Sequence, residues 1–362
     1  MSKLGAALFI TTCLLSCIGI FILYESSSYT AFLNIGDKYY FVKNQSIWFA
    51  LGIVCCLVVS RIPYKIYAKF ALPFLLGTFA LLIAVFLPGI GLSLKGAHRW
   101  IDLGIIVVQP SELLKITFTI YLAAWFTVKE KGRLVAFLLL LSVCMFLVLI
   151  EPDLGTTTII AVTAILVYFF QGAKLSEMAI IFVLFAAALV GLISFAPYRA
   201  ARFAEFANFN YTDLNSTSYH VKQVLVGLGS GGALGVGFGN SVQKYAYLPE
   251  NTTDSIFAIF AEEAGFVGSS LLISLFFIQL LIGLGISSQT EDIFGRILSF
   301  GIITFIGIQA IINLASQVVL FPLTGVPLPF ISYGGSSMII NFISIGILLS
   351  ISRKAFHHEK RR

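Results

Sequence analysis

A chain of 362 residues is long enough for two or three soluble domains, but 58% of it is hydrophobic and only 11% charged, where soluble domains carry about 25% charged residues. With a mean hydropathy of +0.96 and apolar runs of about 16 to 25 residues, the composition excludes a disordered chain, a secreted disulfide scaffold and a cytosolic enzyme. The runs are continuous and do not alternate, which excludes a membrane β-barrel. The net charge of +6 reports membrane topology before it reports nucleic acid.

In chain order, the runs predict an all-α polytopic membrane protein of about ten transmembrane helices. The first span, Ala6 to Tyr24, follows only Lys3 and lacks a small-residue cleavage site, so it reads as a retained helix and not a signal peptide. Further spans are expected at 46–60, 71–88, 112–127, 134–149, 155–170, 177–195, 262–285, 297–319 and 331–351. An even number puts both termini on one side. A cytoplasmic N-terminus leaves 14 Lys/Arg inside against 8 outside, which places both termini in the cytoplasm. The five cysteines (Cys13, Cys17, Cys55, Cys56 and Cys144) fall inside apolar runs and read as small buried hydrophobes. The whole chain, 1–362, reads as a single transmembrane domain, and its basic tail, 352–362, suits anionic lipid.

Two external segments stand out. The 89–111 loop is rich in glycine and charge. The 196–261 loop, before the eighth helix, is far longer than a connector needs, which is usual of functional loops. Its stretch GLGSGGALGVGFGNS is not a phosphate loop, since no strand precedes it and no GK[ST] closes it.

Charges at membrane depth are expensive and therefore informative. Glu112 and Lys115, three apart, share a helix face. They read either as a structural ion pair near the membrane surface or as the charged wall of a polar cavity. The QPSE run around them looks like a helix start with an acid in its first turn. Asp153, in EPDLGT, fits a cap or turn role between two helices. The strongest candidate is Asp254, in YLPENTTDSIFAIFAEEAG. Alone, an acid there reads as a helix N-cap. Placed at the outer membrane boundary in the longest loop, opposite Lys95 and Arg99, it also suits a general base near a bound anion. His98 and His220 are isolated in the sequence and read as surface or structural residues. No Ser-His-Asp set, metal-ligand cluster or dinucleotide fingerprint appears. The residues alone stop at a ten-helix protein with an external polar site favouring anionic substrates.

Four motifs go further. KGAHRWIDLG…QPSELLK (Lys95–Lys115), EPDLGT (Glu151–Thr156), GNSVQKYAYLPENTTDSIFAIFAEEAG (Gly239–Gly265) and GVPLPFISYGGSS (Gly325–Ser337) together resemble the SEDS family, the bacterial shape, elongation, division and sporulation proteins. The resemblance covers essentially the whole chain. The NSVQK run leading into YLPE is most similar to the cell-division member, and GVPLPFISYGG suits the rod-shape member at least as well. The sequence departs from the family in reading TTD where HTD is common, which keeps Asp254 and removes a possible hydrogen-bonding imidazole.

The resemblance implies a peptidoglycan glycosyltransferase of the inner membrane, at the division septum. It would polymerise lipid II into β-1,4 glycan with release of undecaprenyl pyrophosphate. Asp254 matches the family's essential external aspartate and would be the base. Lys95 and Arg99 would steady the leaving pyrophosphate, with Glu112, Lys115 and Asp153 in the same cavity and Trp100 against sugar or prenyl chain. A divalent cation (Mg or Mn) could assist, although no ligand cluster demands one. The implied partners are a class B penicillin-binding protein, which supplies crosslinking, other divisome proteins and membrane lipid, with no nucleic acid. Alternatives are an elongation polymerase, a lipid II flippase and a scaffold that recruits the transpeptidase.

Overall fold

The computed structural model describes residues 2–94, 97–102, 104, 107–128, 132–194, 206, 219–245 and 247–359. Among these, twelve helices and three strands are formed. In chain order they are α1 (Lys3–Ile35), α2 (Tyr40–Arg61), α3 (Lys65–Lys69), α4 (Ala71–Ala84), β1 (Gly91–Leu94), β2 (Ala97–Asp102), β3 (Val107–Val108), α5 (Pro110–Thr127), α6 (Leu134–Ile150), α7 (Leu154–Phe170) and α8 (Leu175–Ser194). They continue with α9 (Tyr219–Ser230), α10 (Ile256–Gln289), α11 (Ile293–Gln317) and α12 (Gly335–Glu359). Each of the ten expected apolar runs overlaps a helix. Among the described residues, α1, α2, α10, α11 and α12 are long and apolar enough to cross a membrane, and α4, α6, α7 and α8 are shorter apolar helices. Residues 352–359 of the expected tail continue α12.

Helix ends follow local chemistry. The Ser2 hydroxyl accepts from the Gly5 amide at 3.0 Å to start α1, and the Asp292 carboxylate accepts from the Gly295 amide at 3.0 Å to start α11. Both satisfy amides that a helix start leaves unpaired. Pro110 occupies the first turn of α5, where its missing N–H is no loss. The core is centred on α11 and α12, whose apolar windows are each 72% buried, against 17% for α2. The outer faces carry large exposed apolar side chains such as Leu175, Phe182 and Phe266, the surface a bilayer covers.

Three expectations need correction. The protein is mostly helical but not all-α: the 89–111 loop holds an antiparallel sheet of order β1-β2-β3, with Leu92 opposite Trp100 and Ile101 opposite Val108. Chain folded against a membrane domain must pair its backbone groups, and a short sheet does so. The 196–261 segment is not wholly loop, because α9 lies within it and α10 starts at Ile256, six residues before the expected 262. Finally, α10 is broken at Gly265, which takes φ 68° and ψ −168°, a conformation suited to glycine. The glycine-dense stretch docks at the break. The amides of Val236 and Gly237 donate to the carbonyls of Glu262 and Glu263, and the amides of Phe266 and Val267 donate to Gly232 and Ala233, at 2.9–3.1 Å. The break thus leaves none of these four backbone pairs unmade.

Candidate functional site

Asp254 lies in the turn before α10 and is buried. The helix-capping position belongs to Ser255, whose side chain makes no capping bond, so the N-cap reading of Asp254 does not hold. Its carboxylate accepts from the Thr253 hydroxyl at 3.1 Å, and Gly325 lies close to its other oxygen. The turn is held from several sides. The Asn251 amide group donates to the Ser26 carbonyl on α1 at 2.9 Å. The carbonyl of Thr252 accepts from the Tyr333 amide at 2.9 Å, and that of Thr253 accepts from the Ser332 hydroxyl at 2.5 Å. The Asp254 carbonyl accepts from Asn313 Nδ2 at 2.9 Å and Gln317 Nε2 at 3.0 Å, both on α11. His220, on α9, is not isolated: its Nε2 sits 2.7 Å from the Ser255 hydroxyl, so an imidazole borders the Asp254 turn from another element.

The Glu112–Lys115 pair is formed and buried. Lys115 Nζ lies 2.9 Å from Glu112 Oε1, with the side chains 1% and 4% exposed. The same ammonium donates to Gln309 Oε1 at 2.6 Å and stands 5.9 Å from the centre of the Phe305 ring. Glu112 Oε2 is buried and takes no hydrogen bond from the described residues.

Asp153 is the N-cap of α7. Its carboxylate accepts from the Thr156 amide at 2.9 Å and hydroxyl at 2.8 Å, and from Gln109 Nε2 at 3.3 Å. Arg99, on β2, donates to the main-chain carbonyls of Glu151 and Pro152, so its guanidinium braces the Asp153 turn. Trp100 is half-buried on β2. Lys95 lies outside the described residues. Beside Asp153, the carboxyl of Glu151 is fully buried and neither oxygen has a hydrogen-bond partner among the described residues. Burial pushes its pKa up to about 8; Asp153 adds to the rise and Arg99 opposes it.

The structure joins these groups through the 324–327 segment. A Cβ on Gly155, at the start of α7, would fall 2.3 Å from Val326 Cγ2, and one on Gly325 would fall 3.9 Å from Asp254 Oδ2. The Asp153 helix start and the Asp254 turn therefore flank one short piece of chain. Gly325 has φ +72° there. Among the described residues, no group of three or more His, Cys, Asp or Glu side chains is placed to hold a metal ion.

Glu262 and Glu263 anchor the NSVQK stretch. The Glu262 carboxylate accepts from the Ser230 and Ser241 hydroxyls and from the amides of Val242 and Gln243. Glu263 accepts from the amides of Gly239 and Ser241 and pairs with Lys244 at 3.1 Å, and Lys244 also reaches Glu25 on α1 at 3.4 Å. Sequence reasoning missed Gln309, Asn313 and Gln317, because it weighed charges at membrane depth and passed over neutral amides. Their signal was available: three amides at intervals of four, inside an apolar run.

Comparison with known proteins is consistent across the chain. The family model FtsW/RodA/SpoVE, described as cell cycle protein, matches residues 6–357. The stage V sporulation protein E of Bacillus subtilis is 34% identical over 352 residues, covering 96% of each chain. The probable peptidoglycan glycosyltransferase FtsW of Geobacter sulfurreducens is 36% identical over 348 residues, covering 94% of this chain and 92% of that one. Among solved structures, a chain of a peptidoglycan synthase complex that coordinates polymerization and crosslinking superposes with a TM-score of 0.79 at 23% identity, covering 97% of this chain and 98% of that one. At that identity it shows a shared fold.

Proposed function

The chain belongs to the FtsW/RodA/SpoVE family of cell cycle proteins, and from that premise we propose that it is a multi-pass membrane peptidoglycan glycosyltransferase that polymerises lipid II. The chain is one domain of ten spans with both termini in the cytoplasm, which puts Asp254 on the outer face. There Asp254 takes the proton from the 4-hydroxyl of an acceptor GlcNAc as that oxygen attacks the anomeric carbon of the donor MurNAc. The bond to undecaprenyl pyrophosphate breaks, and the α-linked donor becomes a β-1,4 link in one inverting displacement. Arg99, Lys95, Glu112, Lys115, Asp153 and Trp100 form the substrate-binding surroundings. Cations there offset charge on the departing pyrophosphate. A class B penicillin-binding protein crosslinks the product, and the working site is the division septum.

The observation that supports this reading best is Asp254 itself: a carboxylate on a turn whose successive carbonyls, 252 to 254, are each held by hydrogen bonds from α11 or the 332–333 turn. A base is useful only when it is placed. The test is lipid II polymerisation by the purified protein with its class B partner, comparing wild type with Asp254→Asn after confirming that the variant folds and binds the partner. The expected loss is about 10²–10⁴-fold. Equal glycan from both would remove Asp254 as base. No glycan from either, with the partner bound, would overturn the polymerase reading.

A further inference from the structure

Gln309, Asn313 and Gln317 lie four residues apart on α11 and so form one stripe along the helix. They are among the most buried polar side chains of the protein, at 0%, 1% and 0% exposure. All three NH2 groups are hydrogen-bonded, as burial that deep demands of a donor, while Asn313 Oδ1 and Gln317 Oε1 have no partner among the described residues. Gln309 accepts from Lys115 at 2.6 Å and donates to the Pro327 carbonyl at 2.9 Å. Asn313 donates to the carbonyls of Val326 and Asp254, at 2.8 and 2.9 Å. Gln317 donates to the Asp254 carbonyl at 3.0 Å.

The stripe therefore runs unbroken from the buried Glu112–Lys115 pair to the main chain of Asp254. Two donors meet on the Asp254 carbonyl, which uses both of its acceptor positions. The amide orientations are fixed by chemistry, because only an NH2 group can face those carbonyl oxygens.

We propose that Asn313 and Gln317 are positioning residues for glycosyl transfer: they act through the Asp254 carbonyl to fix the backbone from which its carboxylate projects, and Gln309 ties the same stripe to Lys115. The proposal rests on the reading of Asp254 as the base. With the main chain of Asp254 clamped, only two side-chain torsions remain to place its oxygens. Displacing a reacting group by about 1 Å can reduce rate about 10²-fold. The donors leave the carboxylate itself untouched, so they bear on its position and not on what binds the lipid-linked sugar. That separates positioning from a purely structural role, since it predicts a loss in kcat with KM unchanged.

The variants are Asn313→Leu and Gln317→Met, singly and together, alongside wild type and Asp254→Asn, each with the class B partner. Two quantities are read: kcat and KM for lipid II, and hydrogen exchange of the Thr253 and Ser255 amides, which donate to the Glu250 carbonyl at 3.1 and 3.2 Å. The double variant should lose about 10- to 100-fold in kcat with KM within about twofold. Exchange at those two amides should quicken by about tenfold or more while α2 and α12 keep wild-type protection. Wild-type kcat in the double variant overturns the proposal, and so do unchanged exchange at 253 and 255 or loosening of the whole bundle. Loss of activity in Asp254→Asn with full activity in the stripe variants would overturn positioning alone. Full activity in Asp254→Asn would overturn the base assignment and positioning with it. If the double variant does not fold, Gln317→Met decides, since Asn313 then still holds the turn and a smaller kcat loss is required.

Discussion

Removing the cation from the buried pair on α5 gives a sharp test of the polar interior. Lys115→Met keeps most of the aliphatic stem and deletes the charge. Glu112 is then left as a carboxylate at 4% exposure whose Oε2 already has no hydrogen bond among the described residues. Removing one partner of a buried ion pair destabilises by about 3–5 kcal/mol. Gln309 Oε1 also loses the 2.6 Å donor, and a stranded acceptor adds about 1–3 kcal/mol, so the loss should fall at or above the top of the first range. Glu112→Gln likewise leaves the Lys115 ammonium buried at 1% exposure without its counter-charge and should cost about 3 kcal/mol, the low end of that range, because the new amide oxygen and Gln309 still accept from the ammonium. The double variant Glu112→Gln, Lys115→Met removes both charges and should be less destabilised than the sum of the singles by about 2 kcal/mol or more. Denaturant unfolding of the four proteins in one detergent measures this cycle. Additivity within about 0.5 kcal/mol would refute the reasoning. Lipid II polymerisation in the same four proteins adds a functional reading. Stability recovered without activity would assign the pair to the cavity wall, and recovery of both would assign it to structure alone.

Two further outcomes are expected. Glu151 has its folded pKa raised from 4.5 to about 8, so between those values the folded state holds a proton that the unfolded chain has lost. Stability then falls as pH rises through that window, by at most about 1.4 kcal/mol per pH unit, and levels off above it; Glu151→Gln should flatten the slope of thermal midpoint against pH from 5 to 8, and parallel slopes would exclude Glu151 as its source. Glu262→Gln turns an NH2 toward a site that now receives four donors, which should destabilise by about 2–3 kcal/mol and expose 239–245 to limited proteolysis, with an unchanged cleavage pattern as the contrary result.

Much of the fold was legible because bilayer thickness imposes a length and an apolar run carries that length openly. Helix starts at Pro110 and Asp153 were legible from residue type, since a proline suits the first turn and the Asp153 carboxylate caps α7. The sheet in 91–108 was not: its strands are four, six and two residues long, and AHRWID alternates too briefly to separate from loop. The helix start expected near Asp254 lies at Ile256, while the apolar span, expected from 262, does not reveal how Glu262 and Glu263 are held. Their donors come from a glycine-dense stretch more than 15 residues earlier, and no local pattern reveals that. Asp254 stands out as a candidate by type and setting, whereas the amides on α11 that hold its turn carry no charge to mark them within an apolar run.

The 325–337 segment shows why the polar groups converge where they do. It is largely irregular backbone between two spans, and irregular backbone at such a position is tolerated only when its polar groups find partners within the protein. Pro327 and Pro329 remove two N–H donors that would otherwise need acceptors. The carbonyls remain, and side chains take them: Gln309 for Pro327, Asn313 for Val326 and Gln45 for Ser332. Inside the segment, the Ser332 hydroxyl accepts from the Leu328 amide at 2.8 Å while donating to the Thr253 carbonyl, and the Gly334 amide donates back to Gln45 at 3.2 Å. Ser336 then fastens the head of α12 to the sheet through the Val107 carbonyl at 2.8 Å. The demand of one unwound segment for hydrogen-bond partners thus ties together α2, α11, β3 and the turn that carries Asp254. A polar frame that satisfies this backbone is the same frame that holds the Asp254 turn, so, on the proposed reading of Asp254 as the base, substitutions in GVPLPFISYGGSS that release the turn should lower lipid II polymerisation.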